Sequence, residues 1–235
     1  AFDPHGKGRI PVDLMKNIAE RLGYIIIGSN NSKNGLRPEE INSIVNSLIT
    51  DSRLKLSIDP NRVYLAGFSG GARVACMIAQ GITGIKGVIA CSAGFQPTKN
   101  SLGFRFIGIA GTQDMNYLEM KRLNGLMDSV GIQNQFIEFK GKHQWPYEAT
   151  MSEAITMLEI DAMQNFPSNK KTADDYLSMN QNRIQTLKEN LSPDSLALAF
   201  SISKRTLQTL NGIVDVESLK SNIDELNQKP LLQHY

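Results

Sequence analysis

Hydrophobic residues in the first two thirds of the chain occur in two alternating patterns. Short continuous apolar runs are typical of strands buried on both faces of a parallel sheet, whereas apolar positions spaced by three and four indicate amphipathic helices. The runs predict five strands, at residues 24–28, 62–66, 87–91, 105–110 and 135–139. Because helical stripes separate them, the pattern predicts an α/β fold with a mostly parallel sheet covered by helices on both faces.

Start and stop signals support the first two helices. Met15, Ile18 and Leu22 recur at helical spacing, and Gly23 follows as a residue suited to end a helix. Pro38 fits the first turn of the next helix, where its missing N–H costs nothing. Each of these helices is expected to lead into a strand.

The pattern changes beyond about residue 166. A polar break at 167–171 is followed by three amphipathic helices and no strand-like run. Their predicted buried stripes are Leu177, Ile184, Leu187 and Leu191, then Leu196, Phe200, Leu207 and Leu210, then Val216, Leu219, Ile223 and Leu226. We therefore divide the chain into an α/β domain at 1–165 and an all-α C-terminal module at 166–235. The module either folds back on the α/β domain, belongs to a helical array, or binds a second copy or another protein.

Composition narrows the classes of function. The 235 residues are 41% hydrophobic and carry a net charge of +2 with scattered Lys and Arg, which disfavours a nucleic-acid partner. Cys76 and Cys91 fit buried small side chains better than a disulfide framework or a metal site, and they leave the compartment open. No run reaches the ~18 apolar residues of a membrane span. No signal peptide is visible, but the chain begins with Ala1, so removal of a leader, and with it a secreted or periplasmic location, stays open.

A Gly-x-Ser-x-Gly motif lies between a predicted strand and a predicted helix. It reads Gly67-Phe68-Ser69-Gly70-Gly71. In a nucleophile elbow the serine occupies a strained turn, and neighbouring glycines let strand and helix approach closely. Ser69 would then stand at the carboxyl edge of the sheet, near a helix N-terminus whose free N–H groups favour a developing oxyanion.

Two later loops offer the groups that a serine nucleophile needs. Asp114 follows the strand at 105–110, and His143 follows the strand at 135–139. The alternatives are that Asp114 is an N-cap or turn residue and that His143 is an isolated surface histidine. Of the three histidines, His5 lies in the opening loop and His234 in a polar tail. The order Ser69, Asp114, His143 matches the nucleophile, acid, histidine order of one serine hydrolase fold.

With these motifs the sequence resembles the α/β-hydrolases, and among them esterases similar to poly(3-hydroxybutyrate) depolymerases, feruloyl esterases and dienelactone hydrolases. The elbow, the Gly-Thr-x-Asp sequence ending at Asp114 and the His-x-Trp-Pro sequence starting at His143 carry the resemblance, which spans residues 1 to about 164. It implies that the pair His5-Gly6 belongs to an oxyanion loop, with the backbone N–H groups of Gly70 and Lys7 as the two donors. The family has strands before this loop, whereas this chain begins inside its third strand, so N-terminal strands are expected to be missing.

The resemblance implies hydrolysis of a small-molecule or polymer-derived ester through an acyl-enzyme, without a metal or organic cofactor. A serine hydroxyl is a poor nucleophile at neutral pH, so His143 would take its proton while Asp114 orients the imidazole. Phe68 and Trp145 are candidates for the pocket wall, although aromatic residues there are as often packing. Two alternatives remain: a peptidase of the same fold, and a binding or scaffold protein that uses a hydrolase fold without catalysis.

Overall fold

The computed structural model describes residues 1–97, 102–163 and 170–229. Its helices and strands alternate only in part: the first two helices follow one another, and no described helix separates the strands at 87–91 and 105–111. The elements in chain order are α1 Arg9–Leu22, α2 Pro38–Lys55, β1 Tyr64–Phe68, α3 Gly70–Gly81, β2 Gly87–Cys91, β3 Arg105–Gly111, α4 Tyr117–Ser129, β4 Asn134–Phe139, α5 Glu148–Met163, α6 Lys170–Asn190, α7 Pro193–Leu210 and α8 Glu217–Asn227.

Four strands form one parallel sheet in the order β1-β2-β3-β4. Neighbours in the sheet are also neighbours in the chain, and each pair is separated by a chain segment long enough to return to the start of the next strand, as parallel pairing requires. The carboxyl ends of all four strands consequently lie at one edge. The predicted α/β fold with a parallel sheet is confirmed.

The predicted strand at 24–28 is wrong. These residues form neither a strand nor a helix, and Ile25 is 55% exposed. Between it and β1 lies Phe2, which makes single parallel bridges to Ser29 on one side and Gly67 on the other. Ala1 makes two backbone hydrogen bonds to this segment and the residue after it, from its amine to the Ile27 carbonyl at 2.7 Å and from the Ser29 N–H to its carbonyl at 3.0 Å. Two bonds are too few for a continuous ladder, and the apolar run is not fully buried.

Both faces of the sheet are buried. Val88, Ala90 and Phe106 belong to a hydrophobic cluster that also takes side chains from α2, α3 and α4. Ile89 and Ile107 alternate with them along the strands and so point to the opposite face, where they are at most 2% exposed. This two-sided burial explains why the strands are continuous apolar runs rather than alternating ones.

Helix boundaries follow local chemistry. Gly23 ends α1 in the left-handed region at φ 71°, and Pro38 opens α2, which agrees with the predicted signals. Ser192 accepts the N–H of Ser195 at the start of α7, and Asp215 accepts the N–H of Glu217 at the start of α8. Capping at these positions satisfies donors that have no partner inside the helix.

Compactness divides the chain into two units, Ala1–Ile155 and Thr156–Tyr235. The sheet lies in the first unit. The predicted boundary between 165 and 166, like most of the polar break at 167–171, falls outside the described residues and stays a prediction. None of the described helices is long and apolar enough to cross a membrane.

In the second unit, α7 packs against both α6 and α8. The predicted stripes are partly right: Ile184, Leu196, Leu210, Leu219 and Leu226 are buried. Leu191 is not, with 64% of its surface exposed, because it follows the end of α6 and adopts a left-handed backbone at φ 55°. His234 lies outside the described residues.

Candidate active site

Ser69 occupies the turn between β1 and α3. Its backbone has φ 51° and ψ −121°, which is a rare conformation for a residue with a side chain and costs on the order of 1–3 kcal/mol. Backbone hydrogen bonds hold it there: its N–H donates to the Cys91 carbonyl at 2.8 Å, and its carbonyl accepts from Ala72 at 3.0 Å. The strained turn that the sequence predicts is present.

Close backbone approach explains two of the glycines in the motif. A Cβ added at Gly67 would lie 2.2 Å from the Gly71 carbonyl oxygen, and one at Gly71 would lie 2.1 Å from the Phe2 carbonyl oxygen. Backbone atoms cannot move aside as a flexible side chain can. The approach of β1, α3 and Phe2 therefore depends on these glycines.

We expect Gly67→Ala to destabilise the protein by about 1–3 kcal/mol or more, because the new methyl group overlaps backbone atoms. Gly125→Ala is the matched control. Gly125 lies within α4 with nothing within 4 Å of an added Cβ, so alanine there should stabilise the helix by about 0.5–1 kcal/mol. Urea unfolding measures both changes, and equal effects of the two substitutions would contradict this explanation of the elbow.

Ser69, His143 and Asp114 form one hydrogen-bonded chain. His143 Nε2 lies 3.0 Å from Ser69 Oγ, and His143 Nδ1 lies 2.9 Å from Asp114 Oδ1. The Asp114 side chain is fully buried, and the imidazole is 23% exposed. The structure thus brings together three residues that are separated by 45 and 29 positions in the sequence.

The loops that carry Asp114 and His143 are joined to each other by their backbones. The N–H of Thr112 donates to the Phe139 carbonyl, and the N–H of Gln113 donates to the Gly141 carbonyl, both at 2.9 Å. Asp114 Oδ1 also accepts the N–H of Asn116 at 2.8 Å. These bonds hold the carboxylate and the imidazole at a fixed separation.

Asn116 was not singled out from the sequence, and Glu119 was considered only as an alternative to Asp114 as the orienting acid. The Asn116 side chain donates to the Ser92 carbonyl at 2.8 Å and so ties the Asp114 loop to the end of β2. Glu119 accepts the N–H of Gly94 at 2.8 Å and pairs with Arg73 at 3.0 Å. Asp114 is therefore the acid that contacts His143, and Glu119 has other partners.

The two predicted oxyanion donors differ in whether their N–H groups have an acceptor in the structure. No described acceptor takes the Gly70 N–H at the start of α3. The Lys7 N–H points to Asp3 Oδ1 at an N···O distance of 3.4 Å, beyond the usual range of about 2.7–3.2 Å. Residues 3–8, called the oxyanion loop below, start from Phe2, which is bound to β1 by hydrogen bonds to Ala66 and Phe68.

Phe68 and Trp145 both lie against the catalytic candidates. The Phe68 ring is 4.9 Å from the His143 ring and 5.7 Å from the Trp145 ring, centroid to centroid. Phe68 itself is only 8% exposed, and Trp145 donates its Nε1–H to Asp3 Oδ2 at 2.9 Å. The sequence did not predict these contacts. It also did not predict that Asn34 lies against Gly70, where its Oδ1 would be 1.8 Å from an added Cβ. A role in the pocket wall stays a prediction for both aromatic residues.

The two cysteine thiols are buried, and the possible metal ligands among the described residues do not cluster. Cys76 and Cys91 are free and buried, and burial raises the pKa of both thiols. A thiol whose pKa is raised is a poor nucleophile at neutral pH. Within residues 1–97, 102–163 and 170–229, no group of three His, Cys, Asp or Glu side chains could hold a metal ion.

Comparison with known proteins gives a fold and no close relative. No protein-family model and no curated protein sequence matches the chain. Among solved structures, S-formylglutathione hydrolase FrmB from Staphylococcus aureus superposes with a TM-score of 0.55 at 13% identity over 67% of this chain and 78% of that one. The serine hydrolase FphF from Staphylococcus aureus gives 0.55 at 12%, over 67% and 81%. A ferulic acid esterase gives 0.51 at 14%, over 67% and 82%. The chain therefore has the α/β-hydrolase fold, in the form found in esterases and other serine hydrolases.

Proposed function

We propose that the protein is a serine esterase, which cleaves a carboxylic ester through an acyl-enzyme formed on Ser69. The observation that carries the proposal is the chain from Asp114 Oδ1 through the His143 ring to Ser69 Oγ, with contacts of 2.9 and 3.0 Å. These are hydrogen-bonding distances between a nucleophile, a base and an orienting acid, arranged at the carboxyl edge of the sheet. The esterases among the solved structures of this fold support the reaction class.

In the first half-reaction, Ser69 Oγ attacks the ester carbonyl while His143 Nε2 takes the hydroxyl proton. Asp114 keeps the proton of His143 on Nδ1, which leaves Nε2 free to act as the base, and it stabilises the imidazolium that forms. His143 then gives this proton to the departing alcohol. In the second half-reaction, His143 takes a proton from water, the hydroxide attacks the acyl group, and Ser69 leaves with the proton returned by His143.

Charge develops on the carbonyl oxygen in both half-reactions. The Gly70 N–H lies at the N-terminus of α3 without a described acceptor, so it supplies the first hydrogen bond to the oxyanion. Lys7 supplies the second. Its 3.4 Å contact with Asp3 is long and therefore weak, so a negatively charged oxygen can compete for the same N–H.

The test is reaction of the folded protein with a fluorophosphonate, followed by location of the label. FphF, one of the similar structures, is described as a fluorophosphonate-binding serine hydrolase. We expect one label, on Ser69, and hydrolysis of at least one member of a panel of acetyl, feruloyl and hydroxyacyl esters. A labelled protein that cleaves peptides and no ester would be a peptidase. A folded protein that neither labels nor cleaves would be a binding or scaffold protein.

A further inference from the structure

Asp3 is a buried acid whose two carboxylate oxygens bind two different loops. It is 3% exposed. Oδ1 accepts the backbone N–H of His5 at 2.9 Å and that of Lys7 at 3.4 Å, both in the oxyanion loop. Oδ2 accepts the Nε1–H of Trp145 at 2.9 Å. Trp145 is two residues after His143, so Asp3 links the oxyanion loop directly to the segment that carries the base.

Phe68, the residue that precedes the nucleophile, also contacts Trp145. The Phe68 ring lies 5.7 Å from the Trp145 ring and 4.9 Å from the His143 ring. Asp3, Trp145, Phe68 and His143 therefore form a continuous set of contacts. This set connects the three segments that supply the oxyanion donor, the nucleophile and the base.

Because Asp3 is buried, its carboxylate depends on these hydrogen bonds in place of water. A carboxylate removed from water is costly unless hydrogen bonds replace its hydration, and Asp3 accepts from three N–H donors. The donors depend on the carboxylate in the same way. Loss of the carboxylate would leave the indole N–H and the backbone N–H of His5 without their acceptor, and both loops would shift to find other partners.

We propose that Asp3 is a positioning residue that fixes the oxyanion loop against the segment carrying His143. The inference rests on the proposed esterase function and deepens it. The backbone N–H of Lys7 and the imidazole of His143 must act on the same carbonyl group at the same time. A displacement of about 1 Å between catalytic groups can cost ~10²-fold in rate, so a rigid link between the two loops raises kcat without contacting the substrate.

The experiment removes hydrogen bonds of Asp3 with conservative substitutions. Asp3→Asn keeps the shape but presents an NH₂ group to one of the two sets of donors, so one loop loses its bond. Trp145→Phe removes the Nε1–H and keeps a ring against Phe68. Asp13→Asn is the matched control, because the Asp13 side chain is 62% exposed and pairs with Arg9 on the surface of α1.

Turnover is measured per site that reacts with fluorophosphonate at saturation, which corrects for any unfolded protein. We expect kcat to fall ~10- to 100-fold in Asp3→Asn, with KM changed less than about twofold. Trp145→Phe should show a smaller fall of the same kind, and Asp13→Asn none. The double variant should be no slower than Asp3→Asn alone, because both substitutions break the same link.

Several results would overturn the inference. An active wild-type enzyme whose kcat per labelled site is unchanged in Asp3→Asn, or whose losses simply multiply in the double variant, would show that the link is only structural. A faster Asp3→Asn variant would mean that the carboxylate withholds the Lys7 N–H. If Asp3→Asn does not fold, unchanged kcat in Trp145→Phe decides against the link. A wild-type protein that neither labels nor cleaves esters would instead overturn the proposed function, and the inference with it.

Discussion

Replacing Ser69 by alanine is expected to lower kcat by on the order of 10⁶-fold and to abolish labelling by fluorophosphonate, because the three residues of such a triad act as a unit. Without Oγ there is no acyl-enzyme, and the base has no proton to take. The fold should tolerate the change. Alanine has the same backbone requirement at φ 51° as serine, and the hydrogen bond that the Ser69 side chain makes in the structure is the one to His143.

A serine on the surface of α2 supplies the control. Ser43 is exposed, so Ser43→Ala should label and turn over as the wild type does. Both variants should unfold cooperatively, close to the wild-type temperature. Substantial esterase activity in folded Ser69→Ala protein would show that another group is the nucleophile.

The second large effect is expected for Asp114→Asn, at roughly 10⁴-fold in kcat with little change in KM. The asparagine NH₂ group would face His143 Nδ1 and favour the tautomer whose proton sits on Nε2, where it cannot accept the Ser69 proton. The Asn116 N–H donates to the same Oδ1 and would lose its acceptor, but the Asn116 side chain keeps its bond to the Ser92 carbonyl. The loss should therefore appear in turnover and leave the fold in place.

Glu119→Gln is the informative comparison. Glu119, in the first turn of α4, was the alternative candidate for the acid that orients the histidine, but it is bound to Gly94 and Arg73. Steady-state kinetics on a cleaved ester measures both variants. Asp114→Asn with wild-type kcat, together with a slow Glu119→Gln, would reverse the assignment of the orienting acid.

The alternative to catalysis was a binding or scaffold protein with a hydrolase fold, and it was suggested by the abrupt start of the sequence before the oxyanion loop and by the helical tail. In the structure, Phe2 is 1% exposed and exchanges backbone hydrogen bonds with β1 through Ala66 and Phe68. The oxyanion loop thus leaves a fixed point. This anchoring supports the proposed position of the oxyanion loop, and the reaction with fluorophosphonate decides between the enzyme and the scaffold protein.

The helices beyond α5 could be predicted from the sequence as elements, but their buried faces could be predicted only in part. Apolar spacing identified α6, α7 and α8, yet α6 also buries Ala173, Tyr176 and Asn180. A buried asparagine has no apolar signal. Which side of a helix is covered depends on its neighbours, so periodicity alone assigns the face imprecisely.

The sequence by itself determined four of the five predicted strands, the turn at Ser69 and the order Ser69, Asp114, His143, because these depend on local periodicity, on glycine and on position after a strand. Only the tertiary structure decided which residues far apart in the sequence contact each other. It left residues 24–28 outside the sheet for lack of ladder partners. It placed the His143 ring 2.9 Å from Asp114 Oδ1 and 3.0 Å from Ser69 Oγ, and it joined Asp3 to Trp145 across 142 positions. Such contacts arise where distant loops meet at the carboxyl edge of a parallel sheet, and no local pattern encodes them.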